Sequence, residues 1–448
     1  MADSPYWNAE IETMAPAEVR SMQAGKLRRQ LTELVGRSPF YERKFAEAGF
    51  DPAAVSSVAD LASAPFTEKT ELRESQVSAP PLGLHAGVEL KDVIRVHSSS
   101  GTTGRPSYIG LTKRDRDRWI EIVSRAYWCE GSRPEDVFIH GFGLGFFVGG
   151  LPLKDGLENI GVTFVPIGTG ASERLVTSVQ ALGGTILTCT PSYAMYLAEF
   201  IRERFGISPA ELGLKRIMTG GEPGGGVPAV RDRIAEAYGA KVTEAFGNAD
   251  VLMVFAATCD EQDGNHLIAP DQLVSELIDP ESGETLPWED GAEGELVVTH
   301  IERDCVPLVR FRTRDRIVVK TSPCACGRTG PRVTCVGRTD DMLIVAGVNV
   351  WPSAVSDVVS GFHPRLTGSL QIVLDRPPPS VDPPLRVKIE HGVQERDLDS
   401  LKAEVQRLLR DRLIVATDVE LLPPGSLPRF EMKAQLLDHA YEQQMESR

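Results

Sequence analysis

Apolar positions recur at helical spacing between residues 9 and 49, as in Ala17-Glu18-Val19-Arg20 and Leu27-Arg28-Arg29-Gln30-Leu31, with charges between them. Pro39 interrupts that pattern, since proline lacks an N–H and crowds the preceding turn. The stretch predicts a helical cover over a first sheet. From Val93 onward the texture changes, and short apolar runs alternate with amphipathic stretches. Residues 136–139, 161–165 and 184–189 each read as a strand, and 192–205 and 227–238 as helices. Strand and helix alternating at this pace predict an α/β fold, a large N-terminal domain with mainly parallel sheets. Residues 273–278 and 294–299, with the turn sequence Asp279-Pro280-Glu281-Ser282-Gly283 between them, predict instead a barrel-like β subdomain. After Gly337 strand-like runs at 369–374, 385–389 and 418–422 surround one helical run, 394–413, which predicts a small α+β C-terminal domain. The expected division is 1–338 and 339–448. The Pro-rich insert 376–384 reads as a stiff surface loop.

Composition narrows the function. With 448 residues, 42% hydrophobic and 25% charged, the chain is long enough for two domains and ordinary for a soluble globular protein. A net charge of −15 argues against general nucleic-acid binding, so an acidic substrate must be met by a local cluster of positive groups. Met1 to Trp7 carries no basic region followed by an apolar core, and no run approaches the roughly 20 apolar residues of a membrane helix. The expected compartment is the cytoplasm, without membrane association. The seven cysteines then read as core residues or metal ligands before disulfides.

The densest chemical signal is His97-Ser98-Ser99-Ser100-Gly101-Thr102-Thr103-Gly104-Arg105-Pro106. Glycines let several backbone N–H groups converge on one point, and hydroxyls and Arg105 add donors, which suits a polyphosphate. No Gly-Lys-Ser/Thr closes the loop, so it is not a Walker A loop. By residue type alone, a polar turn is equally open. Thr219-Gly220-Gly221-Glu222-Pro223 follows an apolar run, and a glycine pair there permits close approach of a flat ring such as adenine. Glu244-Ala245-Phe246-Gly247-Asn248-Ala249-Asp250 offers a ring to stack, or to pack in the core, and a carboxylate. In Phe311-Arg312-Thr313-Arg314-Asp315, Asp315 is suited to accept from both ribose hydroxyls. Cys259, His266, Cys324 and Cys326 form a set of three thiols and one imidazole suited to a closed tetrahedral zinc site, although Cys-X-Cys is tighter than the usual spacing. His140, Phe142, Phe146 and Phe147, among glycines in residues 139–150, read as walls of a compact slot or as core, with Ala245 and Asn248 as further candidates.

The order of these motifs resembles the acyl-adenylate-forming superfamily of acyl-CoA synthetases, luciferases and peptide-synthetase adenylation domains. Within it, Gly337-Arg338-Thr339-Asp340-Asp341-Met342-Leu343 followed by Gly347-Val348-Asn349-Val350-Trp351-Pro352 resembles the hinge of the phenylacetate-CoA ligase family. The resemblance runs from about Tyr6 to Lys433. It implies an ATP-dependent ligase that forms an acyl-adenylate and then an acyl-CoA. Ser99, Ser100, Gly101, Thr102, Thr103 and Gly104 would cradle ATP phosphates, with Thr102 and Thr103 acting in catalysis. Gly221, Glu222, Pro223, Phe246 and Gly247 would line the adenine, Asp315 and Arg338 the ribose and phosphate, and Asp250 would help hold Mg²⁺. Asp340 would be the pivot, Gly347 would lie beside the CoA path, and Lys433 would be the adenylation lysine on a mobile domain. Two departures from the family pattern stand out: Ala249 replaces a hydroxyl, and Asp250 is one methylene shorter than the usual glutamate. The resemblance implies a phenylacetate- or benzoate-like acid, a structural zinc in some relatives, and often a homodimer. A short branched or hydroxylated acid, a carrier-protein acceptor and a noncatalytic nucleotide-binding relative remain alternatives.

Overall fold

The computed structural model describes residues 4–99, 106–428 and 435–441. Four helices lead: α1 (Ala9–Glu12), α2 (Pro16–Leu34), α3 (Pro39–Ala48) and α4 (Lys69–Ser78). Pro39 separates two helices by starting the second. It sits in the first turn of α3, where a missing N–H costs nothing, and Ser38 caps that end by accepting from the Tyr41 N–H. A hairpin of β1 (Arg95–Ser98) and β2 (Tyr108–Leu111) leads into α5 (Lys113–Cys129). Strand and helix then alternate through β3 (Val137–His140), α6 (Leu151–Ile160), β4 (Thr163–Pro166), α7 (Ser172–Leu182), β5 (Ile186–Cys189), α8 (Pro191–Phe205), β6 (Arg216–Gly220), α9 (Pro228–Tyr238) and β7 (Lys241–Asn248). Next come β8 (Leu252–Thr258), β9 (Asn265–Leu267), β10 (Leu273–Ile278), β11 (Thr285–Leu286), β12 (Glu293–His300), β13 (Phe311–Lys320) and β14 (Arg332–Arg338).

Strands β3 to β14 form one 12-stranded sheet in the order β11-β10-β12-β13-β14-β9-β8-β7-β6-β5-β3-β4. Its β3–β7 end is parallel, and every pairing from β7–β8 outward is antiparallel. The strands expected as a barrel-like subdomain therefore extend the parallel sheet. They do so because β7 bonds to β6 along one edge and to β8 along the other. Helices cover both faces of the parallel end. Phe138, Ile186 and Met218 pack under α5 and α6, while their neighbours Ile139, Leu187 and Ile217 pack under α7, α8 and α9. Side chains alternate across a strand, so a sheet covered on both faces needs near-continuous apolar runs, and β5 is buried at every position.

The small domain contains β15 (Leu343–Val345), β16 (Val348–Val350), α10 (Pro352–Ser360), β17 (Leu366–Val373), β18 (Ser380–Val381), β19 (Leu385–His391), α11 (Leu398–Leu413), β20 (Thr417–Leu422) and β21 (Leu437–Asp438). It has its own core, including Leu343, Val355, Ile372, Val387, Leu401 and Val405. Helix α11 starts later than its apolar pattern suggests, because Asp397 caps it by accepting from the Ser400 N–H. Part of the Pro-rich insert is a strand, β18, which pairs with β15. Ser380 and Val381 keep the donors that the flanking prolines lack. Contacts among the described residues tie the domains together, and these include three away from the 338/339 boundary itself. Ser353 Oγ donates to the Val336 carbonyl at 2.7 Å, the Arg316 guanidinium lies 3.9 Å from the Trp351 ring centre, and Arg233 Nη2 donates to the Thr367 carbonyl at 2.6 Å. Among the described residues no helix is long and apolar enough to cross a membrane.

Candidate active site

Ser100, Gly101, Thr102, Thr103, Gly104 and Lys433 lie outside the described residues. The two ends of the hydroxyl-rich loop are described, and they are fastened together. Ser99 N–H donates to the Ser107 carbonyl at 3.0 Å, Ser107 N–H donates to Ser99 Oγ at 3.0 Å, and the two hydroxyls are 2.9 Å apart. The Ser107 hydroxyl also donates to Asp250 Oδ1. Lys69 Nζ, at the start of α4, is 2.7 Å from Asp250 Oδ2. Asp250 is thus 4% exposed with a protein donor on each oxygen, and it serves as the anchor of the loop. A direct magnesium contact at Asp250 would share the carboxylate with Lys69 and Ser107. Lys69 and Ser107 were not singled out in the sequence. Ser107 directly follows Pro106 and could have been found by its place at the loop's exit.

The glycine-rich 141–150 segment is docked between this loop and the loop that follows β6. Ser98 N–H donates to the Phe146 carbonyl at 3.0 Å, and Ser98 bridges Phe147. At the other end, a β-carbon on Gly221 would sit 3.9 Å from the Phe142 ring. Phe142 also lies 5.8 Å from the His140 ring, which in turn lies 5.2 Å from Phe164. His140 is fully buried, neither ring nitrogen has a partner among the described residues, and burial pushes its pKa down to about 3. The imidazole is therefore neutral and offers one donor and one acceptor. Phe146 does not enclose the slot: it is 51% exposed and faces Tyr108. Asn248 is used in the β7–β8 turn, where Oδ1 accepts from the Asp250 N–H at 3.1 Å. Ala245 sits in the β7–β8 ladder opposite Ala257.

Beyond β6 the chain turns at Gly221, whose φ of +84° favours glycine. The Glu222 carboxylate accepts from Ser192 N–H at 2.7 Å, in the first turn of α8. The loop continues through Gly224-Gly225-Gly226, whose N–H groups point at the Glu244 carboxylate, and Asn265 Nδ2 donates to the same group at 3.0 Å. Thr258 Oγ1 donates to Asn265 Oδ1 at 2.7 Å and completes the chain. Burial raises the Glu244 pKa against these donors. The packing leaves no room for side chains: a β-carbon would sit 1.9 Å from Thr219 Oγ1 at Gly225 and 2.6 Å from Glu244 Oε2 at Gly226. Glu244 heads the motif whose later residues drew attention, and its role was not legible from that motif. A second buried carboxyl lies nearby. Glu130 accepts from Thr243 Oγ1 at 2.7 Å through Oε2, and burial raises its pKa to about 8.

Phe246 is half-buried and packs edge-on against Phe255 at 5.1 Å. Gly247 is required by the β7–β8 irregularity, since a β-carbon there would meet the Met253 carbonyl at 2.0 Å. Arg338 gathers the two expected acids. Nη1 donates to Asp315 Oδ1 at 2.9 Å, while Nε and Nη2 both reach the Asp340 carboxylate at 2.8 Å. Gly347, with φ of +83°, forms the β15–β16 turn with open space around it.

The four metal candidates converge, with ligand atoms of Cys259, His266, Cys324 and Cys326 all within 4.8 Å of one another. Cys259 and Cys324 sulfurs are 3.7 Å apart, and Cys326 Sγ is 3.3 Å from His266 Nε2. Tetrahedral thiolates on zinc would lie roughly 3.8 Å apart, so the donor set fits that ion. The Gly330 carbonyl faces His266 Nδ1 at 3.3 Å and orients the other ring nitrogen inward. The Cys259 thiol donates to Cys326 and, with His266, favours the Cys326 thiolate.

Comparison with known proteins agrees with this geometry. The model for AMP-binding enzymes matches residues 38–301, and that for the AMP-binding enzyme C-terminal domain matches residues 347–439. The phenylacetate-coenzyme A ligase of Thermus thermophilus is 37% identical over 443 residues, 95% of this chain and 97% of the relative. The corresponding ligase of Escherichia coli is 32% identical, covering 95% of each chain. Among solved structures, 2-hydroxyisobutyryl-CoA ligase in its postadenylation state with 2-HIB-AMP superposes with a TM-score of 0.91 at 32% identity, over 100% of this chain and 96% of that one. The same ligase with 2-HIB-AMP and CoA in the thioesterification state gives 0.73. With the family models matched across both domains and relatives of 32–37% identity over nearly the whole chain, the chain belongs to the AMP-binding enzyme family and is an ATP-dependent, AMP-forming acid–CoA ligase.

Proposed function

We propose that this ligase acts on a phenylacetate- or benzoate-like aromatic acid. The observation that carries the reading is the apolar 141–150 segment lodged between the phosphate-side loop at Ser98 and the adenine-side loop at Gly221. An acid held against Phe142 and Phe147 would present its carboxylate where the nucleotide's α-phosphate lies. Such an arrangement converts a bimolecular attack into a positioned one. The loop from Ser99 to Gly104 would hold the phosphates, Thr102 and Thr103 donating, and Asp315 would accept from the ribose. Lys433 would bridge the acid and the α-phosphate while charge spreads over phosphorus. Carboxylate attack expels pyrophosphate and gives acyl-AMP. The small domain then turns about Asp340, and CoA sulfur entering past Gly347 displaces AMP.

Magnesium would travel with the triphosphate, with Asp250 fixing the loop through Ser107. Cys259, His266, Cys324 and Cys326 would hold a structural zinc, tying the β8–β9 turn to the segment before β14. A cytoplasmic homodimer is the expected setting and rests on the family resemblance. A short hydroxylated acid is the second reading, favoured by the unpartnered ring nitrogens of His140, which a substrate hydroxyl would satisfy.

The test is pyrophosphate release over a panel of aromatic, branched and hydroxylated acids, with and without CoA. Arylacetates or benzoates turning over fastest, with thioester formed only when CoA is present, is the expected result. Preference for a small hydroxy acid would replace the first reading with the second, and release with no thioester from free CoA would defeat the CoA acceptor.

A further inference from the structure

We infer that Arg233 is a positioning residue for the adenylation step, clasping the Thr367–Gly368 bulge of β17 in the small domain and holding that domain in its adenylate-side orientation. The inference rests on the two-step reading above. Arg233 lies on α9 in the large domain, and its Nη2 donates to the Thr367 carbonyl of β17 at 2.6 Å. The approach is close because residue 368 is glycine. Its φ is +90°, and a β-carbon there would lie 2.6 Å from Arg233 Nη1. The guanidinium is largely withdrawn from water, and burial lowers its pKa while Glu199 on α8 offsets this. On the small-domain side, burial lowers the His363 pKa, the Arg233 charge adds to that, and Glu236 opposes it.

Other contacts between domains, Ser353 to Val336, Arg316 to Trp351 and Thr339 N–H to the Arg314 carbonyl among them, sit beside the hinge, where a rotation moves atoms least. The Arg233 contact joins the body of α9 to the sheet of the small domain, so a large turn of that domain must break it. The whole chain superposes better on the postadenylation complex of 2-hydroxyisobutyryl-CoA ligase, at 0.91, than on the thioesterification complex of the same enzyme, at 0.73. The clasp therefore belongs to the arrangement that precedes CoA attack. A contact made in one state only shifts the balance between states by its own strength.

The experiment measures both half reactions of purified Arg233→Ala: acyl-AMP and pyrophosphate from acid and ATP, and acyl-CoA from synthetic acyl-AMP and CoA. Adenylation is expected to fall about tenfold, within the range typical of coupling between states, while the second half reaction stays at or above wild type. Arg233→Lys keeps the charge without the fork and should fall between the two. Gly368→Ala, which pushes the guanidinium away from the opposite side, should mimic Arg233→Ala and add little to it in the double variant. Thermal unfolding of each variant separates a lost clasp from a lost fold. Equal losses in both half reactions, an unchanged adenylation rate, or additive losses in the double variant would overturn the inference. A wild-type enzyme that releases no pyrophosphate with any acid would overturn the functional reading instead.

Discussion

Replacing Glu130 with glutamine should flatten the pH dependence of stability between about pH 4.5 and 8. Glu130 is fully buried at the end of α5, with one oxygen bonded to the Thr243 hydroxyl and the other, Oε1, without a partner among the described residues. Burial is the main cause that lifts its pKa from 4.5 to about 8. The nearby Glu244 adds to the lift, and the Thr243 bond opposes it. Between those values the unfolded chain has released the proton and the native protein has kept it. The native state binds more protons, so stability is fullest below pH 4.5, falls as pH rises through the window and levels off above 8. At about 1.36 kcal/mol per pH unit, the total loss is on the order of 5 kcal/mol. Glutamine cannot ionise, and its carbonyl can still accept from Thr243, but its amide hydrogens meet the unpartnered site at a cost of about 1–3 kcal/mol at every pH. The variant should accordingly be the less stable protein at pH 5 and the more stable one at pH 8. Urea unfolding of both proteins at several pH values, followed by tryptophan fluorescence, measures the two slopes. Parallel profiles would refute a protonated Glu130.

Three further outcomes follow from the site. Protein purified without chelators should carry about one zinc per chain, and Cys326→Ala should lose it and unfold at lower temperature; metal analysis and thermal denaturation check both. Gly225→Ala forces a β-carbon against Thr219, 1.9 Å away, and should raise the KM for ATP by tenfold or more, about 1–3 kcal/mol, as read by pyrophosphate release; an unchanged KM would separate this loop from the nucleotide. Lys433→Ala should suppress thioester formation from acid and ATP by about a hundredfold or more while sparing the conversion of preformed acyl-AMP, and paired half-reaction assays would expose an equal loss in both.

The alternating texture of residues 136–238 identified the parallel sheet because each strand is buried on both faces and each helix is amphipathic. Of the antiparallel strands, β10 and β12 were visible as strands, but β8, β9, β13 and β14 and the attachment of the whole set to β7 were not. Sheet continuity depends on which edge of β7 receives β8, and that information is long-range. The same contrast holds at the site. Asp315, Arg338 and Asp340, singled out by their motifs, stand together, as do the four zinc candidates. Lys69 and Asn265 could not be read. Each acquires meaning only through a partner far along the chain, Asp250 for Lys69 and Glu244 for Asn265. Phe146 misled because an aromatic beside glycines carries no sign of which way its ring will face.

The reciprocal bonds between Ser99 and Ser107 have a thermodynamic consequence for any anion that the segment between them would hold. Bringing the ends of a segment of about eight residues together carries a length-dependent entropy cost of roughly 2 kcal/mol, which a free strand would charge against each incoming phosphate. Here the Ser99–Ser107 bonds complete that closure during folding, before any anion arrives. Were the loop to hold the triphosphate, the binding energy saved in this way would be available for straining it toward cleavage.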